Sequence, residues 1–548
     1  MNNKDTKETN VLAQASILMV AGIITRIIGV LYRSPLTSVI GDEGNGYYGI
    51  AVNIYTMILL VSSYSIPMAV SKVVSSKLAV HQYRNAHKVF KCALMYVLVV
   101  GGIASLITFF GASILIPSNQ PKAIPVLRIL APTIFFSGFL GVFRGYFQAH
   151  GTMVPTSLSQ IIEQVANAVI SIGAALLFIH IFAGGDADKV PVFGAMGSAA
   201  GLLFMLFIYS CNKKYFRKEI QKDSSGVDSS YRDIFKIIFL MVTPVILSTF
   251  VYNISTVVDQ TLFMDVMGFK KMNSRIAASL YGVFQTKYTV LINMPVAIAN
   301  SMSTAMIPAI SSSYALENYK KCNTHVKEAI HFTMIISIPA AIGMGALAYP
   351  IMEVLFPQKA TIDLAVSILR VGCISIIFYA LSTVSNGVLQ GIGKVNIPLR
   401  NAAIALFLHV VVLAPLLYFT DLDLYALVLA TMFYAFLMCL LNNLSVRKYL
   451  GYRQEMKKTF IIPVICSAIM GILCYIFYQG IYLILSGVLG SFIHLRILVF
   501  ICLMISVVFA VIVYFVLELK LKGITEAELR KFPKGHLLVR MAKKSKLL

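Results

Sequence analysis

An all-α polytopic membrane protein of about 14 transmembrane helices is the fold this sequence predicts, on three observations. Of its 548 residues 58% are hydrophobic, only 13% are charged, and mean hydropathy is +0.81, whereas soluble domains carry about 25% charged residues. Apolar runs recur along the whole length, and at about 20 residues each can cross a hydrocarbon core about 30 Å thick. Finally, two sequence patterns occur twice, the copies about 240 residues apart, which predicts two pseudo-symmetric six-helix bundles plus two C-terminal helices.

The first span is expected near 11–32. It contains Arg26 and ends in no small-residue cleavage site, so it reads as a retained helix rather than a removable signal. The second, near 47–70, is rich in Ser, Asn and Tyr, as is the eighth, near 279–308. Such polarity suits helices that line a wet cavity. Spans three to six, near 91–116, 124–147, 156–182 and 191–211, are more uniformly apolar. The polar stretch 212–236 then separates six spans from eight. Span seven is expected near 237–263, and spans nine to twelve near 329–355, 364–390, 397–420 and 424–446. The last two, near 458–482 and 495–518, carry no acid between Lys458 and Glu518. This order gives an N-terminal bundle over 1–211, a cytoplasmic linker over 212–236, a C-terminal bundle over 237–447, a helix pair over 448–518 and a basic cytoplasmic tail over 519–548, expected as a short helix or disorder.

With both termini inside, most of the 46 lysines and arginines fall on the cytoplasmic side, the bias that orients membrane proteins. The net charge of +23 is thereby explained by topology and by attraction to anionic lipid heads, so no nucleic-acid partner is expected. The eight scattered cysteines form no C-x-x-C pair and read as small apolar packing residues, and no metal site is expected. No loop is long enough for a soluble catalytic module, and Walker A, H-E-x-x-H and nucleophile-elbow motifs are absent, so the chain reads as a non-enzyme.

The first repeated pattern is G-x-x-Q-x-x-G before a proline: Gly145, Gln148, Gly151 and Pro155, then Gly387, Gln390, Gly393 and Pro398. Glycine and proline at these positions shape a short helix–helix connection, so the motif reads as conformational. The second is Tyr48-Gly49 with Tyr55-Thr56, matched by Tyr281-Gly282 with Tyr288-Thr289.

Charges inside spans are costly and mark functional candidates. Arg26 lies near the middle of span one, and Arg33 seven residues on, close to two helical turns, so both point to one side. Lys287 lies in polar span eight. Together they suit an anionic substrate such as a pyrophosphate, because guanidinium groups bind phosphate oxygens through paired hydrogen bonds. The blander alternative pairs Arg26 with Glu163 or Asp259, lets Arg33 snorkel to an interface, and ties Lys287 to a partner. Asp259 and Glu163 are the candidates for coupling or ion pairing. Arg370 has the position of a snorkelling arginine, and the lone His180 and His409 read as packing residues.

The 14 spans, T-R-I-I-G-x-x-x-R across Thr25 to Arg33, the G-x-x-Q-x-x-G motif, Met294-Pro295 and the run Ile307 to Ser311 resemble the multidrug/oligosaccharidyl-lipid/polysaccharide exporter superfamily. Within it they resemble most the polysaccharide-biosynthesis branch, of the MurJ, YtgP and SpoVB lipid II flippase kind. The resemblance implies a plasma-membrane flippase that moves a polyprenyl-diphosphate-linked cell-wall precursor between leaflets by alternating access, for peptidoglycan biosynthesis. It implies that Arg26 and Arg33 contact the diphosphate and that 458–517 forms a groove for the lipid tail. The family's further cavity arginine on span two has no counterpart, since that span offers Ser62, Ser63 and Ser65, with Lys72 only at its end. No cofactor is expected; coupling is expected to membrane potential, H+ or Na+. The expected partners are the lipid-linked glycan, the bilayer and the cell-wall synthesis machinery. A flippase for another polyprenyl-linked glycan, a cation-coupled drug antiporter and a non-transporting membrane scaffold are the alternatives.

Overall fold

The computed structural model describes residues 3–60, 62, 66–181, 197–223, 229–356, 358–489, 493–529 and 535–544. Ser63, Ser65 and the side chain of His180 lie outside the described residues. The described chain falls into two compact units, Met1–Thr286 and Lys287–Leu548.

In the first unit, α1 (Asn3–Leu59) runs through the first expected span and into the second, with a non-helical residue at Gly41, whose φ of 69° lies in the left-handed region. α2 (Ile66–Ala79) follows. A π-helical turn, Val97–Gly101, joins α3 (Tyr83–Tyr96) to α4 (Gly102–Phe110), and α5 (Ala112–Leu115) closes that arm. α6 (Ala123–Ala149), α7 (Val154–Ile181), α8 (Gly197–Gln221), α9 (Tyr231–Phe269) and α10 (Ser274–Gly282) complete the helices. The described part of the polar stretch 212–236 is largely helical. Its Lys, Arg, Glu and Gln residues are good helix formers, so α8 continues to Gln221, and Ser230 caps the start of α9 by accepting from the Arg232 N–H.

The core of this unit centres on a cluster of Phe90, Phe143, Tyr146, Tyr209 and Phe216, in which the Phe90 and Tyr146 rings stand 4.4 Å apart and Tyr209 stacks on Phe216. Aromatic pairs of this kind contribute about 0.5–1.5 kcal/mol each beyond their buried area. α9 and α10, expected with the second bundle, pack against α1 within this unit.

The second unit holds α11 (Thr289–Ala315), α12 (Tyr319–Ala346), α13 (Ala348–Leu355), α14 (Ile362–Gly372) and α15 (Ser375–Gly391). The span expected at 364–390 is formed by α14 and α15 together, bent by 48° at the break between them. α16 (Asn396–Phe419) and α17 (Leu424–Leu450) precede a π-helical turn, Lys457–Ile461, which opens α18 (Ile462–Leu489). α19 (Leu495–Lys520) packs on α18, and the tail forms α20 (Glu526–Leu529) and α21 (Gly535–Lys544). Tyr514 of α19 donates to the Ile335 carbonyl of α12 at 2.9 Å, fixing the last helix pair to the rest of the unit.

Among the described residues nine helices are long and apolar enough to cross a membrane, or ten if α14 and α15 make one span. The chain is therefore a multi-pass membrane protein, with fewer separate helices than the 14 expected spans partly because α1 unites two of them.

Candidate functional site

Arg26 and Arg33 both sit on α1, and the structure places Arg26 in the open and Arg33 half-buried. Among the described residues neither is paired with a carboxylate. Arg33 lies within electrostatic range of Tyr48, whose hydroxyl meets that of Tyr32. The seven-residue spacing on the helix thus leaves two cationic heads on one side of α1 with no acid among the described residues to neutralise them.

Glu163, on α7, is occupied elsewhere. Its carboxylate accepts from Arg144 Nη2 at 2.8 Å and from the Ser198 hydroxyl at 2.8 Å. Arg144 Nε donates in turn to Ser159 at 2.8 Å, and the Ser137 hydroxyl donates to Ser198 at 2.9 Å. Tyr55 closes the series, with its hydroxyl at Thr133 and Ser137 and within range of the Glu163 charge. This bonded chain joins α1, α6, α7 and α8. It is an ion pair, as one reading of Glu163 expected, but with Arg144 instead of Arg26. Sequence reasoning missed Arg144, although a basic residue immediately before Gly145 in an apolar run was the available signal.

Asp259 is buried on α9, beside a second polar cluster in the same unit. Asn53 Nδ2 donates to Gln260 Oε1 at 2.8 Å and to the Tyr281 hydroxyl at 2.7 Å, while Gln285 Nε2 donates to Asn53 Oδ1 at 2.9 Å. The charge of Asp259 acts on Tyr281. The two Tyr-Gly copies meet here. A methyl group on Gly46 would overlap the Ala278 carbonyl, and one on Gly282 would overlap the Asp42 carbonyl, so α1 and α10 touch main chain to main chain. Only residues without bulky side chains permit that approach. Asn53, Gln260 and Gln285 were also missed by sequence reasoning, since their contacts join residues more than 200 positions apart.

Lys287 lies in the second unit and is fully buried, its Nζ donating to Thr361 Oγ1 at 2.8 Å. It sits in a π-helical segment, Val283–Tyr288, a local widening often found at functional positions. The structure therefore places it in the wall of its unit, bonded within that unit rather than held as an open cation. Arg370 is exposed near the end of α14, and His409 is fully buried with Nδ1 at 2.9 Å from the Ala430 carbonyl.

The two glycine motifs have the same geometry. Gly151 and Gly393 adopt φ of 76° and 77°, and each N–H reaches back to the carbonyl of Gln148 or Gln390 at 3.0 Å. Gly145 and Gly387 are buried where α6 meets Pro67 and Val70, and where α15 meets Ser303. Pro155 and Pro398 stand in the first turns of α7 and α16, where a missing N–H costs nothing. Among the described residues no group of three His, Cys, Asp or Glu side chains could hold a metal ion.

The family model described as polysaccharide biosynthesis protein matches residues 11–314, and the MatE model matches residues 244–416. The chain is 25% identical to the lipid II flippase MurJ of Bacillus subtilis over 472 residues, covering 83% of this chain and 86% of that one. It is 23% identical to stage V sporulation protein B of the same organism, covering 83% and 87%. Among solved structures, an inward-facing multidrug resistance transporter of the MATE family and MOP superfamily aligns with a TM-score of 0.64 at 15% identity, covering 82% of this chain and all of that one. The inward closed form of the lipid II flippase MurJ aligns with a TM-score of 0.62 at 16% identity, covering 91% and 97%. These likenesses show the fold.

Proposed function

Because the chain belongs to the polysaccharide biosynthesis protein family, within the MOP exporter superfamily, we propose that it is a flippase which carries a polyprenyl-diphosphate-linked cell-wall precursor, lipid II, from the inner to the outer leaflet by alternating access. The observation that carries this reading is the pair Arg26 and Arg33, aligned on α1 without an internal carboxylate. A diphosphate supplies the charge they lack. The physical task is narrow: the charged headgroup cannot cross hydrocarbon unaided, while the polyprenyl tail never leaves it. A path that shields only the headgroup lowers the barrier. Lys287, buried against Thr361, serves this path indirectly, by holding the π-helical segment, unless the segment rearranges to present it. No cofactor enters the scheme. Coupling to the membrane potential supplies about 2.3 kcal/mol per charge per 100 mV, and H+ or Na+ at Asp259 is the alternative source. Both termini lie in the cytoplasm on this reading, and the acceptor of the flipped lipid is the cell-wall synthesis machinery.

Complementation tests it. In bacteria depleted of their own lipid II flippase, the native chain is expected to restore lipid II to the outer leaflet, and Arg26→Ala at matched expression is expected not to. Failure of the native chain despite correct insertion would redirect the cargo to another polyprenyl-linked glycan. A second reading, a cation-coupled multidrug antiporter, is favoured by the MatE match over 244–416 and by buried Asp259 within it. It predicts the reverse sensitivity, with Asp259→Asn abolishing transport and Arg26→Ala tolerated.

A further inference from the structure

At the end of α17 the chain forms an amphipathic cavity that the flippase reading does not use. Gly451, at φ 64°, ends the helix with its N–H on the Arg447 carbonyl at 2.9 Å and turns the chain back, so that Arg453 returns to the same cavity as Arg447. The cavity has a volume of about 440 Å³. One wall is apolar: Leu440 and Leu444, two turns and one turn before Arg447, are 42% and 52% exposed. The other is polar, with Gln454 Nε2 bonded to Asn443 Oδ1 at 2.7 Å. Both arginines are exposed, and among the described residues neither has an acidic partner. Two more cations, Lys394 and Lys448, flank the adjacent Tyr449 ring at 5.4 and 5.9 Å.

We propose that this cavity is a binding site for an anionic glycerophospholipid of the inner leaflet, its phosphate held by Arg447 and Arg453 and an acyl chain lying along Leu440 and Leu444. Three features point to that chemistry. The connection 451–456 links two membrane-spanning helices, so the cavity lies at the boundary between hydrocarbon and water. Guanidinium pairs there meet phosphate with their five fixed donors. A soluble anion would have no use for the leucine wall, whereas a phospholipid needs both halves of the cavity at once.

The chain contains no Trp, so a single reporter at the cavity reads the local lipid. The full-length protein carrying Leu444→Trp is placed in phosphatidylcholine vesicles doped with brominated phosphatidylglycerol, or with brominated phosphatidylcholine at the same mole fraction. The expected result is quenching by the anionic lipid at a mole fraction about fivefold lower for each arginine engaged. Arg447→Ala with Arg453→Ala is expected to remove the preference, and Arg447→Lys with Arg453→Lys to retain part of it, which separates lost charge from lost fold. Leu440→Trp repeats the measurement from the other leucine. Equal quenching by the two lipids, a preference that survives the double alanine variant, or displacement of the lipid by millimolar inorganic phosphate would each overturn the proposal. Because no polyprenyl lipid is present, the outcome stands apart from that of the flippase test.

Discussion

The two Tyr-Gly copies share a pattern and differ in what they do with it. In the first, Tyr48 to Thr56 runs as ordinary helix inside α1, and Ile54 occupies the position before Tyr55. In the second, Val283–Tyr288 is π-helical, and the equivalent position is Lys287, fully buried and bonded to Thr361. The glycine motifs behave in the opposite way, with φ values of 76° and 77° and the same N–H to carbonyl bonds. The connections between helices have kept their symmetry, while the segments bearing polar chemistry have diverged.

That contrast can be broken most severely at the contact between the copies. Gly282→Ala drives a methyl into the Asp42 carbonyl, whereas Gly49→Ala meets side-chain atoms, Gln285 Cγ at 3.0 Å and Cβ at 3.2 Å, which can give way more readily than main chain. Gly282→Ala is expected to cost more than the usual overpacking penalty of about 1–3 kcal/mol and to abolish complementation. Gly49→Ala is expected to cost under about 1 kcal/mol. Thermal melts of both variants in detergent check this, and equal melting points would mean that the helices do not meet as described.

The next effect concerns Lys287. Lys287→Met removes its charged hydrogen bond to Thr361 and is expected to cost about 1.5–3 kcal/mol. Ile54→Met, its counterpart, keeps volume and apolarity and is expected to cost under about 1.5 kcal/mol. Denaturation of the purified variants compares them, and similar losses would erase the asymmetry between copies. The turn glycines sharpen the opposite case. Gly151→Ala and Gly393→Ala each force a Cβ into left-handed backbone, for about 1–2 kcal/mol apiece, and the two losses should agree within measurement.

The smallest effect lies in the tail of the second unit, which has no counterpart in the first. Glu528 accepts from Lys458 Nζ at 2.8 Å through both oxygens and from the Thr525 N–H and hydroxyl. Burial alone would push this carboxyl up, but those bonds outweigh it and hold it below the ordinary glutamate range. A depressed carboxylate contributes its stability above the unfolded pKa and loses it as pH falls through the folded one. Protection from hydrogen exchange over 521–529, the observed rate set against the intrinsic rate at the same pH, should therefore stay high at pH 6, fall only in distinctly acid solution, and be low at both in Glu528→Gln.

Much of the frame was legible in the sequence because hydropathy, turn chemistry and repeats are local signals. The alignment of Arg26 with Arg33 follows from helical spacing alone, and the turns at Gly151 and Gly393 from their Gly and Pro residues. The partners were less legible. Glu163 sits opposite Arg144 because α6 and α7 lie side by side, and no spacing rule chooses Arg144 over Arg26. Lys287 reads as a cavity cation until the π-helical segment turns it to Thr361, a change of helical phase that composition does not encode. The cluster of Asn53, Gln260, Tyr281 and Gln285 depends on α9 and α10 packing against α1, a pairing of distant segments that no local signal carries.

The main-chain contact at Gly46, Ala278 and Gly282 has a thermal consequence. Joints made of apolar side chains release hydrocarbon surface to water when they part, and the accompanying rise in heat capacity makes their balance swing with temperature. At these two glycines the surfaces that touch are main-chain amide, whose exposure changes heat capacity in the opposite sense. If α1 and α10 separate at these glycines during a working cycle, the equilibrium between joined and parted forms should drift little from a cold medium to a warm one.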